Sequence, residues 1–156
     1  MNGNNKKTIS LSELYPIIQE QLESNGTVQM PITGTSMIPL LVWGRDSVEL
    51  RKCENAQKGD IIFYRRDDGH FVLHRIIGKN ENGFILCGDN QWVKEYGIED
   101  RHIIGVVKAI TRNGKNFSVD NKFYQLYSKI WTSILPLRRY FLFIIRRIIK
   151  PQNKKQ

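Results

Sequence analysis

Cysteine is scarce in this chain. Cys53 and Cys87 are the only two in 156 residues, far apart and without C-x-x-C spacing. That excludes the disulfide framework that staples many small secreted domains; a single bridge is allowed but unforced, and two buried free thiols are expected. Histidine is also sparse, at three residues. The histidines and cysteines lack the spacing of a structural zinc site, so no metal and no other cofactor is called for. Long apolar runs are missing too. No segment reaches the roughly 18 consecutive apolar residues of a membrane-spanning helix. The first residues, MNGNNKKTISLSELY, are basic at the start but have no continuous apolar core and no small-residue cleavage site, so they do not form a secretory signal. A cytoplasmic location is the expectation.

Acidic residues are absent from one region. From Arg138 to the end there are seven basic residues and no acidic one, which leaves 17 basic against 15 acidic in the remainder of a chain whose net charge is +9. A nearly balanced body with a basic appendage does not suit nucleic-acid binding across the whole surface, and no nucleic-acid recognition motif is present.

The length suits one domain. Residues 1–9 are polar and are expected to be disordered. Ser10 followed by Glu13 has the form of a capping box. Leu11, Leu14, Ile17, Ile18 and Leu22 then recur at helical spacing up to Asn25-Gly26, with Pro16 as an interruption that predicts a kink or a later start. Short β-rich runs follow near 27–33, 46–51, 60–66, 70–78, 83–88, 103–111 and 116–119, separated by turn signals such as Asp67-Asp68-Gly69 and Arg112-Asn113-Gly114. After Asp120 the helical period returns, with Phe123, Leu126, Tyr127, Ile130 and Ile134 in one stripe and a break at Pro136. A second stretch, Leu137 to Lys150, sets Tyr140, Phe141, Ile144, Ile145 and Ile148 on one face. Arg139, Arg146, Arg147 and Lys150 gather on the other side, with Phe143 among them. The division predicted is a domain over 10–119, a basic amphipathic segment over 120–150 and a tail over 151–156.

Two residues stand out chemically. Ser36 lies in Gly34-Thr35-Ser36-Met37-Ile38-Pro39 at the end of a predicted strand. The glycine allows a tight turn there, and backbone N–H groups around the serine suit an oxyanion site. A serine in ordinary turn chemistry has the same local look. His74 lies in the otherwise apolar Val72-Leu73-His74-Arg75-Ile76. It can act as a base near neutral pH, or it can be a structural histidine satisfied by a carbonyl.

Four boxes in order, GTSMIPL, KGDIIFY, FVLHRII and LCGDN, resemble those of type I signal peptidases, and the earlier ones are shared with LexA-like self-cleaving repressors. The resemblance covers about residues 28–107. It implies a mostly β (α+β) fold, an antiparallel coiled sheet with one helix before it and two after it. It also implies Ser36 as nucleophile, His74 as base (the mark of the endoplasmic-reticulum and archaeal subgroup) and Asp89 as the third member, with Glu95 as the other acidic candidate. Gly34, Thr35 and Met37 become oxyanion and substrate-binding residues, and Gly59-Asp60 a structural turn. The activity implied is endopeptidase cleavage of a leader or signal segment from a polypeptide lying extended along 28–34. The alternatives are LexA-like self-cleavage, for which no Ala-Gly or Cys-Gly precedes Ser36, and a non-catalytic binding module on the same fold. The basic C-terminal helix has two readings, packing on the body or peripheral contact with an anionic membrane.

Overall fold

A computed structural model describes the backbone of residues 10–148 and the side chains of 10–144. The segments expected to be a disordered start (1–9) and a tail (151–156) lie outside the described residues. The chain opens with helix α1, Leu11–Glu23, whose N-cap is the reciprocal box read from sequence: Ser10 accepts from the Glu13 N–H and the Glu13 carboxylate accepts from the Ser10 N–H at 2.7 Å. Pro16 sits inside the helix without ending it. Pro16 is exposed, so the Ser12 carbonyl that loses its partner faces the wet side. Asn25, at φ 60°, takes the left-handed position that closes the helix, and the Gly26 N–H returns to the Gln21 carbonyl.

Eight strands follow: β1 (Val28–Pro31), β2 (Asp46–Arg51), β3 (Ile61–Arg65), β4 (Phe71–Asn80), β5 (Gly83–Cys87), β6 (Glu95–Ile98), β7 (Ile103–Arg112) and β8 (Lys115–Ser118). All pair antiparallel in one sheet of order β1-β2-β7-β3-β4-β5-β6, with β8 joined to β7. Seven of the eight answer the sequence pattern. The eighth, β6, has no counterpart in that pattern; it has four residues, and Gly97 at φ 75° interrupts its β-forming Tyr96 and Ile98.

Alternate residues of β3 feed two cores. Ile61 and Phe63 join Ile18 and Leu22 of α1, with Val48, Leu50, Val107 and Ile110; Ile62 and Tyr64 join Ile76, Phe84, Leu86, Ile98 and Val106. A sheet apolar on both faces must be covered on both, and α1 packs on one side. Helices α2 (Lys122–Ser133) and α3 (Arg138–Ile148) come last, divided by a 3-10 turn at Leu135–Leu137 where Pro136 cannot continue the helix. The fold is therefore the mostly β arrangement expected, with one helix before the sheet and two after it. Cys53 and Cys87 are free thiols, the first half-buried and the second buried.

Two strand edges matter for the site. β1 ends the sheet and pairs only with β2. β4 pairs with β5 only from Arg75 onward, so Phe71–His74 has β3 on one side and an open edge on the other.

Candidate active site

The chain leaves β1 through Ile32 and turns at Thr35–Ser36. Two features of the Gly88-Asp89-Asn90 turn clamp this segment. The Asn90 N–H donates to the Ser36 carbonyl at 2.7 Å, and its side-chain amide donates to the Thr35 carbonyl at 3.0 Å. Gly88 lies so close that a Cβ there would sit 2.7 Å from the Ser36 carbonyl oxygen. Glycine is required for that approach. The N–H groups of Ser36 and Met37 and the Ser36 hydroxyl have no hydrogen-bond partner among the described residues. They are available to a substrate carbonyl.

Ser36 and His74 line the same cavity of about 620 Å³ between the open edges of β1 and β4, beneath Leu11 and Leu14 of α1. They make no hydrogen bond with each other among the described residues. Gly34 also lines this space. Met37 borders it but is only 2% exposed, with its side chain in the core beside Ile32 and Leu41. The exposed Thr35 lies outside the lining and contributes its carbonyl to the turn.

His74 is buried in the middle of β4 opposite Ile62. Its Nδ1 is 2.9 Å from Glu95 Oε1 and 3.3 Å from the Tyr64 hydroxyl. Glu95 is in turn gripped by Arg66, whose Nε and Nη2 donate to the two carboxylate oxygens at 2.8 and 2.6 Å. Burial works to raise the Glu95 carboxyl; hydrogen bonds from His74, Arg66 and Tyr64 outweigh it and hold it at about 2. Burial, then the Glu95 charge, push the Tyr64 hydroxyl well above its ordinary value, so it stays a donor. With an ionised carboxylate at Nδ1, that nitrogen carries the proton and Nε2 is left to accept one.

Asp89 does not support His74. His74 and Arg75 are neighbours on a strand and project to opposite faces. Asp89 lies on the Arg75 side, accepting from Arg75 Nε at 2.9 Å and Nη2 at 2.7 Å, with both side chains fully buried. Arg75 Nη1 then donates to the Gly59 carbonyl and the Ser128 hydroxyl, both at 2.8 Å. The carboxylate expected as the third catalytic member is thus a buried strut, and Glu95 stands at His74 in its place. The remaining histidines have other partners: exposed His70 pairs with Asp68, and His102 Nδ1 accepts from the Glu99 N–H.

Comparison with known proteins agrees with the LexA side of the resemblance. LexA repressors from two Limosilactobacillus reuteri strains are each 28% identical to this chain over 102 residues, 65% of the chain and 49% of the repressor. The LexA repressor of Leuconostoc citreum is 26% identical over 103 residues, 65% of the chain and 48% of the repressor. The fold, mostly one antiparallel sheet with three helices, is consistent with a LexA-like α+β domain. The chain spans about half the length of the curated relatives it matches. No family model and no solved structure matches it.

Of the residues grouped around this cavity, the sequence indicated Ser36 and His74 but left Glu95 open and missed Arg66 and Tyr64. Tyr64 could have been found from the KGDIIFY run, two residues along β3 from the partner of His74. Arg66 and Glu95 are 29 residues apart, and nothing local links them.

Proposed function

We propose that the protein is a serine endopeptidase acting through Ser36, His74 and Glu95 on an extended polypeptide segment, the leader or signal part of another chain. The observation that carries this reading is a buried mid-strand histidine with Nδ1 on an Arg-held carboxylate, lining the cavity that also holds a serine whose hydroxyl has no partner among the described residues. In the reaction, His74 Nε2 takes the Ser36 Oγ proton as Oγ bonds to the scissile carbonyl carbon. The N–H groups of Ser36 and Met37 would receive the oxyanion. The C–N bond then breaks as the imidazolium returns its proton to the leaving amine. Water, deprotonated by His74, releases the acyl group and restores the serine. Glu95 fixes the tautomer and stabilises the imidazolium, and Arg66 positions Glu95. The substrate backbone would pair with the open edges of β1 and of Phe71–His74, a strand-addition mode.

The relatives favour a second reading, in which the segment cut belongs to this chain itself and cleavage switches a regulatory protein. One experiment separates the two. Wild type, Ser36→Ala and His74→Ala are incubated alone and with precursor peptides, and masses are followed. Peptide cleavage by wild type and neither variant supports the first reading. Fragments of the 18.2 kDa chain, forming at a concentration-independent rate in wild type only, support the second. Cleavage by all three proteins contradicts both.

A further inference from the structure

Residues 121–156 hold nine Lys and Arg and no Asp or Glu. Of the 24 basic residues in the chain, 15 therefore remain in residues 1–120, against all 15 acidic ones, so the first 120 residues are formally neutral. The whole net charge of +9 belongs to the segment that carries α2 and α3. These helices touch the body along narrow strips. α2 buries Ser128 and Trp131, and α3 buries Arg138 and Leu142.

Of the apolar stripe read after Asp120, Tyr127 and Ile134 are half-buried, and the other members point away from those strips. On α2, Phe123, Leu126 and Ile130 recur at one face and are 84%, 57% and 52% exposed. Leu137 of the 3-10 turn and Tyr140, Phe141 and Ile144 of α3 recur at i, i+3, i+4 and i+7, and each is about half exposed or more. Lys122 and Lys129 are exposed on the flank of the α2 stripe, and Arg139 is exposed on α3. Arg138, outside the basic cluster, is fully buried, donating to the carbonyls of Gly88, Gln91 and Trp131. A helix that belongs to a globular core turns its apolar stripe inward; stripes left in water mark a surface meant for a partner.

We propose that α2 and α3 form a docking surface for an anionic lipid membrane, lying in its interface without crossing it. Charge complementarity selects this partner. An acid-free cationic segment on a neutral body is drawn to a negative leaflet, and lysine stems flanking the stripe let ammonium groups reach phosphates while the apolar side chains enter the acyl boundary. A nucleic acid would use the charges but leave seven large apolar side chains in water. No helix among the described residues is long and apolar enough to span a bilayer. The exposed Trp92 and Val93 belong to the loop that Arg138 holds through the Gln91 carbonyl, directly after the turn that clamps Ser36. The proposal stands independently of the chemistry assigned to Ser36.

The test is co-sedimentation of the full chain with vesicles of phosphatidylglycerol and phosphatidylcholine, and with phosphatidylcholine alone. Binding at least about tenfold stronger to the anionic vesicles at ~0.1 M salt, and weakened at ~0.5 M, is expected. The variant F123S/L126S/I130S should keep the wild-type circular dichroism and lose about tenfold or more of this binding. Should the triple variant fold poorly, the single Phe123→Ser change is read instead, and it should weaken binding severalfold. Equal partition onto both vesicle types, no binding to either, or undiminished binding by the folded variant would overturn the proposal. So would a self-associated chain that hides the stripes and ignores vesicles.

Discussion

Glu95 and Asp89 are two carboxylates near β4 with different work. Asp89 meets a guanidinium in a fully buried pair, whereas Glu95 keeps some solvent contact and divides itself between Arg66 and His74. Removing one partner of a buried pair strands the other charge, so Asp89→Ala should cost about 3–5 kcal/mol in urea unfolding. Glu95→Gln should leave the fold intact and lower kcat/KM on the order of 10³–10⁴-fold, because the amide no longer imposes the Nδ1-protonated tautomer. If Asp89→Ala instead abolished turnover with unchanged stability, the two roles would have to be exchanged. The pH dependence has a definite sign. The Glu95 carboxyl is depressed from 4.5 to about 2 in the folded state. Its contribution to stability is therefore complete above the unfolded value and is lost as pH falls from about 4.5 toward about 2. Urea midpoints measured over that window should drop more steeply for wild type than for Glu95→Gln.

At the scale of elements, the Gly88-Asp89-Asn90 turn is the hinge between chemistry and scaffold. One end fixes the Ser36 and Thr35 carbonyls; the other receives Arg75, the Trp131 indole N–H at 3.2 Å and Arg138. Gly88→Ala pushes a methyl into the Ser36 carbonyl and should cost about 1–3 kcal/mol, with a fall in activity exceeding the fraction unfolded. Wild-type activity in the folded fraction would show that the contact does not position Ser36. The sequence disclosed these elements unevenly. Ser10 with Glu13, the alternation through β3 and β4, and the stop at Pro136 are local signals, and each is met by an element where expected. β6 is not local in that sense. It is short, Gly97 breaks its pattern, and only pairing with β5 makes it a strand. It carries Glu95, so a candidate visible in the sequence could not be placed at His74 without the strand. The Asp89–Arg75 pairing was out of reach for a related reason: whether His74 or its neighbour Arg75 faces that carboxylate depends on a one-residue alternation that the box LCGDN does not reveal.

For the whole molecule, the formally neutral sheet domain brings the serine, histidine and glutamate to one cleft, and the cationic helical end is the part proposed to dock on a membrane. They join through Arg138 and Trp131 at the Gly88–Asn90 turn, so loss of α3 should be felt at Ser36. Arg138→Ala removes the donors to Gly88, Gln91 and Trp131 from a buried site. It should reduce both thermal stability and the reactivity of Ser36, whereas Phe123→Ser, on the exposed stripe, should alter neither in the absence of lipid. Thermal unfolding and active-site labelling of the two variants would check this, and identical behaviour would contradict the coupling.

The most direct test of the central claim is the rate at which a fluorophosphonate probe adds to the protein, followed by intact mass and mapped by peptide digestion. The account predicts one adduct, on Ser36, formed at least about a hundredfold more slowly in folded His74→Ala and Glu95→Gln than in wild type. An adduct on another residue, or labelling of Ser36 at the same rate in all three proteins, would show that His74 and Glu95 do not activate it.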